Sequence, residues 1–477
     1  MKNDKNILPD LQAARKRSRE RSEIDREAAQ YPQEFNTMGK GKIFALRTYG
    51  CQANFHDSEI ISGILESTGF TKADSIDQAD LVLLNTCAIR ENAEDKVFGE
   101  IGILKHEKEQ GRKVTIGIGG CMMQQPKIVE RIRKTWPEVD LIFGTHNLVR
   151  LPYLLKEVMD GRKHVIEVPS IEGRIYENLP MRRDDPYKAW VNIMDGCDKF
   201  CTYCIVPYTR GKQRSRLADD IIAEILQLKE QGYKEVTLLG QNVNAYGKDL
   251  GDPDGFAGLL KRSAETGIER VRFMTSHPWD FTDAMIETVG KYDNIMPYFH
   301  LPVQSGSDTV LRKMGRRYTA AQYMELFNKL KAAKPEAAFT TDIIVGFPEE
   351  TEEDFEATLA LYEACRFDSA FTFAYSPRPG TPAAEFEDQV SEETKKERLA
   401  RLNERVAFWG SYHNRQYVGK TVKVLSEGPS KKNEEIWSGY TETMKLVNYI
   451  PKDHEPGKIV EVEITDAKSW TLNGKQV

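Results

Sequence analysis

The stretch AWVNIMDGCDKFCTYC (189–204) decides how the chain is read. An apolar run of strand type, AWVNIM, leads directly into three cysteines, Cys197, Cys201 and Cys204, spaced x3 and then x2. In a parallel β/α unit this order places the thiols at the C-terminal edge of the sheet, where such folds build their sites. Structural zinc takes four protein ligands, and no fourth Cys or His lies nearby in the sequence. Three soft thiolates suit an iron–sulfur cluster with one iron left open for a substrate or cofactor.

Downstream, strand-type runs at 188–194, 235–240, 269–275, 295–301, 338–346 and 369–375 alternate with helical segments such as ADDIIAEILQLKEQG (218–232) and EEDFEATLALYEACR (352–366). Six β/α units predict a partial barrel, short of the eight that close one. A charged helix at about 391–415 follows. Upstream, IFALRTY (43–49), LVLLN (81–85), VTIGIG (114–119) and DLIFG (140–144) read as buried strands. Helical stretches around 56–68 and 91–110, and from Asn147 to Met159, complete a series of βαβ units with a parallel sheet. From Gln416 onward, short strands and turn glycines without helical period predict a small all-β barrel. The fold class is α/β. The expected divisions are a charged extension (1–40), a parallel-sheet domain (41–165), a linker, a partial (β/α)6 barrel domain (186–415) and the C-terminal β module (416–477).

Three further cysteines follow strands of the upstream domain: Cys51, Cys87 and Cys121, 36 and 34 residues apart. Cysteines at the same end of successive parallel strands converge in space, so they predict a second three-thiolate site. Cys365 sits inside a helical run with no strand end beside it and reads as core. Two incomplete thiolate sites argue for redox or radical chemistry, which clusters supply and side chains cannot.

Composition limits the rest. The 477 residues carry 67 basic and 73 acidic side chains, a net charge of -6, so any RNA contact must rest on local patches. Seven cysteines, an odd and sparse set, argue for reduced thiols and against a secreted disulfide framework. No run approaches the ~18 apolar residues of a membrane span, and the N-terminus lacks an apolar signal core. A cytoplasmic protein is expected. RKRSRERSEIDRE (15–27) mixes both charge signs and reads as a solvated extension.

At Cys197–Cys204 the chain resembles the radical S-adenosylmethionine (SAM) superfamily, with Tyr203 as the aromatic before the last cysteine. TYGCQAN (48–54), NTCAIRENAEDKV (85–97), GIGGCMMQ (117–124), GCDKFCTYCIVPYTRGKQRSR (196–216), TSHP (275–278), HLPVQSGSDTVLRKMGRRYT (300–319) and SPRPGTPAA (376–384) narrow the resemblance to the methylthiotransferase family. The C-terminal module resembles the TRAM domain, an RNA-binding barrel. NTCAIRENAEDKV and LLGQNVNAYG (238–247) are similar to the branch acting on tRNA that carries N6-isopentenyladenosine.

The resemblance implies two [4Fe-4S] clusters: one on Cys197, Cys201 and Cys204 that binds and cleaves SAM, and an auxiliary one on Cys51, Cys87 and Cys121. It implies 2-methylthiolation of the adenosine at tRNA position 37, with SAM as methyl donor and as radical source. The target C–H has no acidic proton and no leaving group, and acid–base catalysis, worth about 10²–10⁴-fold, cannot break it. A low-potential electron donor such as flavodoxin or ferredoxin and a sulfur source are expected partners.

Candidate SAM contacts are Tyr203, Gly240, Gln241, Ser276 and Gln304, and His277 reads as a structural hydrogen-bonder. Candidate RNA contacts are Tyr208, Arg210, Lys212, Arg214 and Arg216. In the C-terminal module Lys431, Lys432, Trp437 and Tyr440 read more readily as ordinary surface and core. Two positions depart from the family pattern: Gln213 where an acidic residue is common, and Glu349 where GFPEET replaces a glycine, its side chain expected to face solvent. Alternative readings are the same chemistry on threonylcarbamoyladenosine in tRNA or on a ribosomal-protein aspartate, and a non-catalytic, zinc-holding RNA scaffold.

Overall fold

Every residue of the strand Leu81–Thr86 is buried, which its unbroken apolar run LVLL requires of a strand covered on both faces. Around it, the computed structural model builds a six-stranded, wholly parallel sheet. The structure describes residues 6–15, 24–25, 31–88, 91–171, 174–431 and 433–477. The strands are β1 (Ile43–Thr48), β2 (Thr71–Lys72), β3 (Leu81–Thr86), β4 (Thr115–Gly120), β5 (Leu141–Phe143) and β6 (Val165–Glu167), in spatial order β2-β1-β3-β4-β5-β6. Helices Gln52–Ser67, Glu91–Glu109, Pro126–Thr135 and Leu151–Met159 connect them.

Two compact units divide the chain. One comprises Met1–Asp184, Met194–Phe200 and Cys204–Arg216; the other comprises Asp185–Ile193, Cys201–Tyr203 and Leu217–Val477. The described part of the N-terminal extension departs from the solvated expectation. Ile7 exchanges backbone hydrogen bonds of 2.9 Å with Ile166 and Val168. Phe35 is buried, with its ring edge-on to Tyr153 at 4.8 Å. Backbone pairing holds the first segment, where the Ile7 side chain stays exposed, and the buried Phe35 ring holds the second. Most of the mixed-charge run 15–27 lies outside the described residues.

In the second unit, β7 (Lys188–Asn192), β8 (Glu235–Leu239) and β9 (Arg270–Phe273) form one parallel trio. The strands β10 (Tyr298–His300), β11 (Ala338–Val345) and β12 (Ser369–Ala374) form another, and a parallel bridge between Val271 and Ile295 joins the two. The result is six β/α units in sequential order. Thr319 and Thr351 start their helices with capping boxes, using Gln322 and Asp354. Cys365 ends the helix Glu352–Cys365 in the core, and burial pushes its thiol up to about 12. Among the described residues, no helix is long and apolar enough to cross a membrane.

The C-terminal residues close a five-stranded barrel of β13 (Thr421–Ser430), β14 (Asn433–Thr441), β15 (Leu446–Ile450), β16 (Ile459–Ala467) and β17 (Thr471–Gln476). It docks beneath the β/α barrel, at the starting ends of the strands. Arg270 and Arg272 are almost fully buried and share the single carboxylate of Glu235. Their remaining donors reach the carbonyls of Tyr440 (3.0 Å), Lys423 (3.2 Å), Glu442 (2.7 Å) and Thr441 (3.0 Å). The module is therefore part of how the β/α barrel satisfies its own buried charge.

A chain truncated before Gln416 loses these four acceptors. Hydrogen bonds to charged groups are worth about 1.5–3 kcal/mol each, so thermal denaturation should show a clearly lowered midpoint. Glu442→Ala, which leaves the carbonyl in place, should change it little.

Candidate metal centres

The first cysteine trio is assembled by the order of the sheet. Strands β1, β3 and β4 are direct neighbours, with Thr48 beside Asn85 and Thr86 beside Gly120. Cys87 and Cys121 directly follow their strands, and Cys51 follows β1 by three residues. Cys51 is also the N-cap of the helix Gln52–Ser67, where the positive end of the helix dipole favours a thiolate. A hydrogen bond with Cys87, assisted by the charge of Arg210 and opposed by burial, pushes the Cys51 thiol down to about 5. Burial moves the Cys121 thiol the other way, against the pull of the Arg210 guanidinium.

Close approach is enforced by the backbone. A Cβ on Gly50 would stand 2.7 Å from Cys87 Cβ, and one on Gly120 would stand 2.4 Å from the Thr86 carbonyl oxygen. Both glycines have positive φ, 154° and 96°. Beneath the thiols, the buried Asn85 side chain donates to the Asn54 carbonyl (2.8 Å) and to Ser58 Oγ (2.9 Å), and Asn54 donates to the Thr86 carbonyl (3.1 Å). These asparagines tie the helix start to the strand ends.

Arg210 completes this site. Its Nε donates to Cys121 Sγ at 3.1 Å, and Asp57 holds its other nitrogens at 2.5 and 3.3 Å, all in the interior. His146, which the sequence reading did not single out, is neutral here. Burial, with the Arg214 and Arg210 charges, pushes its pKa down to about 3, and its Nε2 has no hydrogen-bond partner among the described residues.

The Cys197–Cys204 loop is shared by the two units. In the first, Met194–Asp195 pairs antiparallel with Arg214–Ser215. Cys197 donates its N–H to the Gly211 carbonyl at 3.1 Å, and Lys199 N–H points at Cys197 Sγ at 3.4 Å. Gln213 supports the loop through its backbone N–H, given to Asp198 at 3.0 Å, a contact indifferent to the side chain at 213. In the second unit, Cys201 is buried, with Arg316 Nη1 at 3.7 Å from its sulfur. Thr202 is held by the Lys313 and Met314 carbonyls, and Tyr203 stands edge-on to Phe347.

The candidate SAM residues stand just beyond the finishing ends of the strands. Gly240 and Gln241 follow β8, Ser276 follows β9 by three residues, and Gln304 follows β10 by four. At this rim three non-glycine residues take left-handed backbone: Thr275 (φ 66°), Gln304 (φ 72°) and Glu349 (φ 63°). Backbone strain of this kind gathers at ligand sites, and no sequence pattern discloses it. Glu349 is exposed, as expected, and forms an ion pair with Lys313. His277 accepts the Trp279 N–H at 3.3 Å, capping the turn that follows.

The basic run requires correction. Tyr208, Arg210 and Arg214 are buried and cannot present themselves to RNA. Arg216 is spent on Glu177 at 2.6 Å, and Lys212 is half-buried. Alternation of basic residues in this loop reflects internal pairing, because acidic partners distant in sequence meet it. In the C-terminal barrel Trp437 is core, Tyr440 lies beneath the Lys188 ammonium at 5.2 Å, and Lys431 is exposed. Lys432 lies outside the described residues.

Among the described residues, no three His, Cys, Asp or Glu side chains close on a single metal ion. A multinuclear cluster makes a different demand, since its ligands bind different irons. Three thiols on one sheet edge, one favoured as thiolate and one facing a buried guanidinium, fit that demand.

The comparisons agree with this geometry. Family models match at residues 191–362 (Radical SAM superfamily), 43–144 (Uncharacterized protein family UPF0004) and 415–477 (TRAM domain). The tRNA-2-methylthio-N(6)-dimethylallyladenosine synthase of Bacillus cytotoxicus is 53% identical over 470 residues, 98% of this chain and 92% of its own. That of Oceanobacillus iheyensis is 54% identical over 470 residues, covering 98% and 90%. This chain belongs to the tRNA-2-methylthio-N(6)-dimethylallyladenosine synthase family. A radical SAM methyltransferase from Kitasatospora setae, solved with cobalamin and a [4Fe-4S] cluster, shares the fold at TM-score 0.53 and 14% identity, over 72% of this chain and 77% of that one. Membership of the radical SAM superfamily brings SAM and a [4Fe-4S] cluster as cofactors.

Gly120→Ala tests the packed strand ends. The clash and the positive φ should cost more than about 1 kcal/mol of stability, seen by chemical denaturation, and iron bound per chain should fall after anaerobic reconstitution.

Proposed function

We propose that this chain is a tRNA-modifying radical SAM methylthiotransferase that converts N6-isopentenyladenosine at position 37 to its 2-methylthio derivative. The observation that carries the reading is the pair of cysteine trios, each on strand-end loops, in a chain more than half identical along nearly its whole length to synthases of that name. The domains are read as an extension (1–40), an auxiliary-cluster domain (41–165), a radical SAM domain (186–415) and a TRAM-like RNA-binding domain (416–477).

Cys197, Cys201 and Cys204 would hold the cluster that binds SAM, and Cys51, Cys87 and Cys121 a second [4Fe-4S] cluster. When bound, these groups supply a 5′-deoxyadenosyl radical and a sulfur site for methylation. The protein's own residues do the rest. Arg210 and Arg316 each direct a buried N–H at one cysteine sulfur, which steadies negative charge there. Gly240, Gln241, Ser276 and Gln304 form the rim at which SAM is to be received, with Tyr203 packed nearby on Phe347.

A low-potential flavodoxin or ferredoxin would supply electrons, a separate donor would supply sulfur, and the cytoplasm, where tRNA is found, would be the site of action. For RNA contact the C-terminal barrel offers Trp470, 67% exposed, between β16 and β17.

Replacing Cys51, Cys87 and Cys121 together by Ala should lower iron from about eight to about four per chain, each cluster being thiolate-held. SAM cleavage under dithionite should persist, and methylthio transfer should stop. Cys201→Ala should abolish 5′-deoxyadenosine formation. Nucleoside mass spectrometry of tRNA from a deletion strain should show loss of the methylthio group from the isopentenylated adenosine alone. Loss from threonylcarbamoyladenosine, or from a ribosomal protein, would redirect the reading.

Trp470→Ala should weaken tRNA binding by about 1–3 kcal/mol with an unchanged salt slope, because stacking removes no phosphate contact. Filter binding at several salt concentrations checks it.

A further inference from the structure

The last strand of the β/α barrel carries two large aromatic rings that the fold leaves open. Phe371 is 50% exposed and Phe373 41% exposed. Their direction is fixed by three contacts. Thr372, between them, bonds through Oγ1 to Asn403 Oδ1 at 2.6 Å, on the helix Glu392–Arg415, so Thr372 faces the helical layer. Alternation along a strand turns Phe371 and Phe373 to the opposite face. The neighbouring strand agrees. Phe339 of β11 packs on Phe327 of the outer helix Ala320–Ala333 at 4.5 Å, while Asp342 and Ile344, pointing the other way, are the register partners of Phe371 and Phe373. The His300 ring meets Phe371 edge-on at 5.9 Å. These rings therefore line the inside of the barrel.

β12 has no strand on its outer edge among the described residues. Phe373 is the penultimate residue of the strand, close to the rim that carries Gln304 and Ser276. Beside the aromatic pair stands a polar one: His300 Nδ1 bonds to Thr340 Oγ1 at 3.0 Å, and Nε2 lies 3.5 Å from Asp342 Oδ1. The inner wall thus offers an apolar patch flanked by hydrogen-bonding groups.

We propose that Phe371 and Phe373, with Ile344, form the seat for the branched five-carbon N6 substituent of the target adenosine and set the preference for prenylated tRNA. The inference rests on the functional reading above. Its argument is chemical complementarity. An RNA presents phosphates, sugars and base edges, and the prenyl branch is the one aliphatic group of such a substrate. Exposed phenylalanines inside a barrel are otherwise an unrewarded hydration cost, which an aliphatic ligand removes. The His300–Asp342 pair stands where a polar base edge adjoining that substituent would lie.

The test uses the reconstituted full chain and two anticodon stem-loop RNAs, one with N6-isopentenyladenosine and one with adenosine at position 37. Affinity and kcat/KM are measured for the wild type, for Phe371→Ala/Phe373→Ala, and for Phe371→Leu/Phe373→Leu. Melting temperature and iron content control for folding. The wild type should prefer the prenylated RNA. The alanine pair should lower that preference about tenfold or more, through weaker handling of the prenylated RNA, and the leucine pair should restore most of it. An unchanged preference in the folded alanine variant overturns the proposal. So does an equal loss on both RNAs, which would mean that the rings stack on the base. A wild type without preference would instead overturn the choice of substrate itself.

Discussion

Parallel pairing of β1, β3 and β4 is the constraint on which the first centre depends. Parallel strands finish on the same edge, so residues that follow them meet although 34 to 36 positions separate them in the chain. The approach is close enough that Gly50 and Gly120 have no room for a Cβ. Asn54 and Asn85, buried between the strand ends, satisfy backbone groups that would otherwise be stranded there. Thiols presented by so fixed a frame are preorganised, and capture of a cluster there would require little further loss of chain entropy.

Charge is managed by the same economy in both units. A guanidinium in the interior is tolerated only when acceptors surround it. Arg210 has Asp57 and the Cys121 sulfur; Arg316 has the Tyr318 hydroxyl, the Pro302 carbonyl and the Cys201 sulfur, none of them a carboxylate. Arg316 thus points its charge at the Cys201 sulfur with no carboxylate among these acceptors. Asp57 has a different task. Burial raises its carboxyl, opposed by the charge and hydrogen bonds of Arg210.

Period and spacing made much of this legible. Strand-type runs before Cys87 and Cys121 foretold strands, because a buried parallel strand must be apolar along its length, whereas the strand before Cys197 alternates, with Ala189 and Val191 buried. Limits of the helices expected at 352–366 and 391–415 came within a residue, since Thr351 and Ser391 are local capping signals. The basic run 208–216 was misread because its counter-charges are remote: Asp57 and Glu177 are 153 and 39 residues away from the arginines they hold. Composition registers charge but not its pairing. Thr275 and Gln304 were equally opaque as strained positions, for their φ values are imposed by tertiary packing. Phe371 and Phe373 were invisible as a site, since alternating aromatics on a strand are the ordinary mark of a core.

The C-terminal barrel adds a last constraint, internal to the second unit. It is joined to Arg270 and Arg272 at the strand starts, whereas the candidate SAM rim lies at the strand finishes. The strand Ala338–Val345 has eight residues, which at about 3.3 Å each spans roughly 26 Å. A nucleotide entering the barrel at the rim is out of reach of the C-terminal module at its foot. Any RNA held there must be another part of the same molecule, tens of ångströms from the base. Two such contacts would act as linked sites, the distant one raising the effective concentration of the near one. That arrangement would suit a substrate as extended as tRNA: with 9 Lys against 9 Asp and Glu over residues 416–477, the module has no net positive charge to attract RNA, and it would need only to hold a second point on a ligand already anchored at the first.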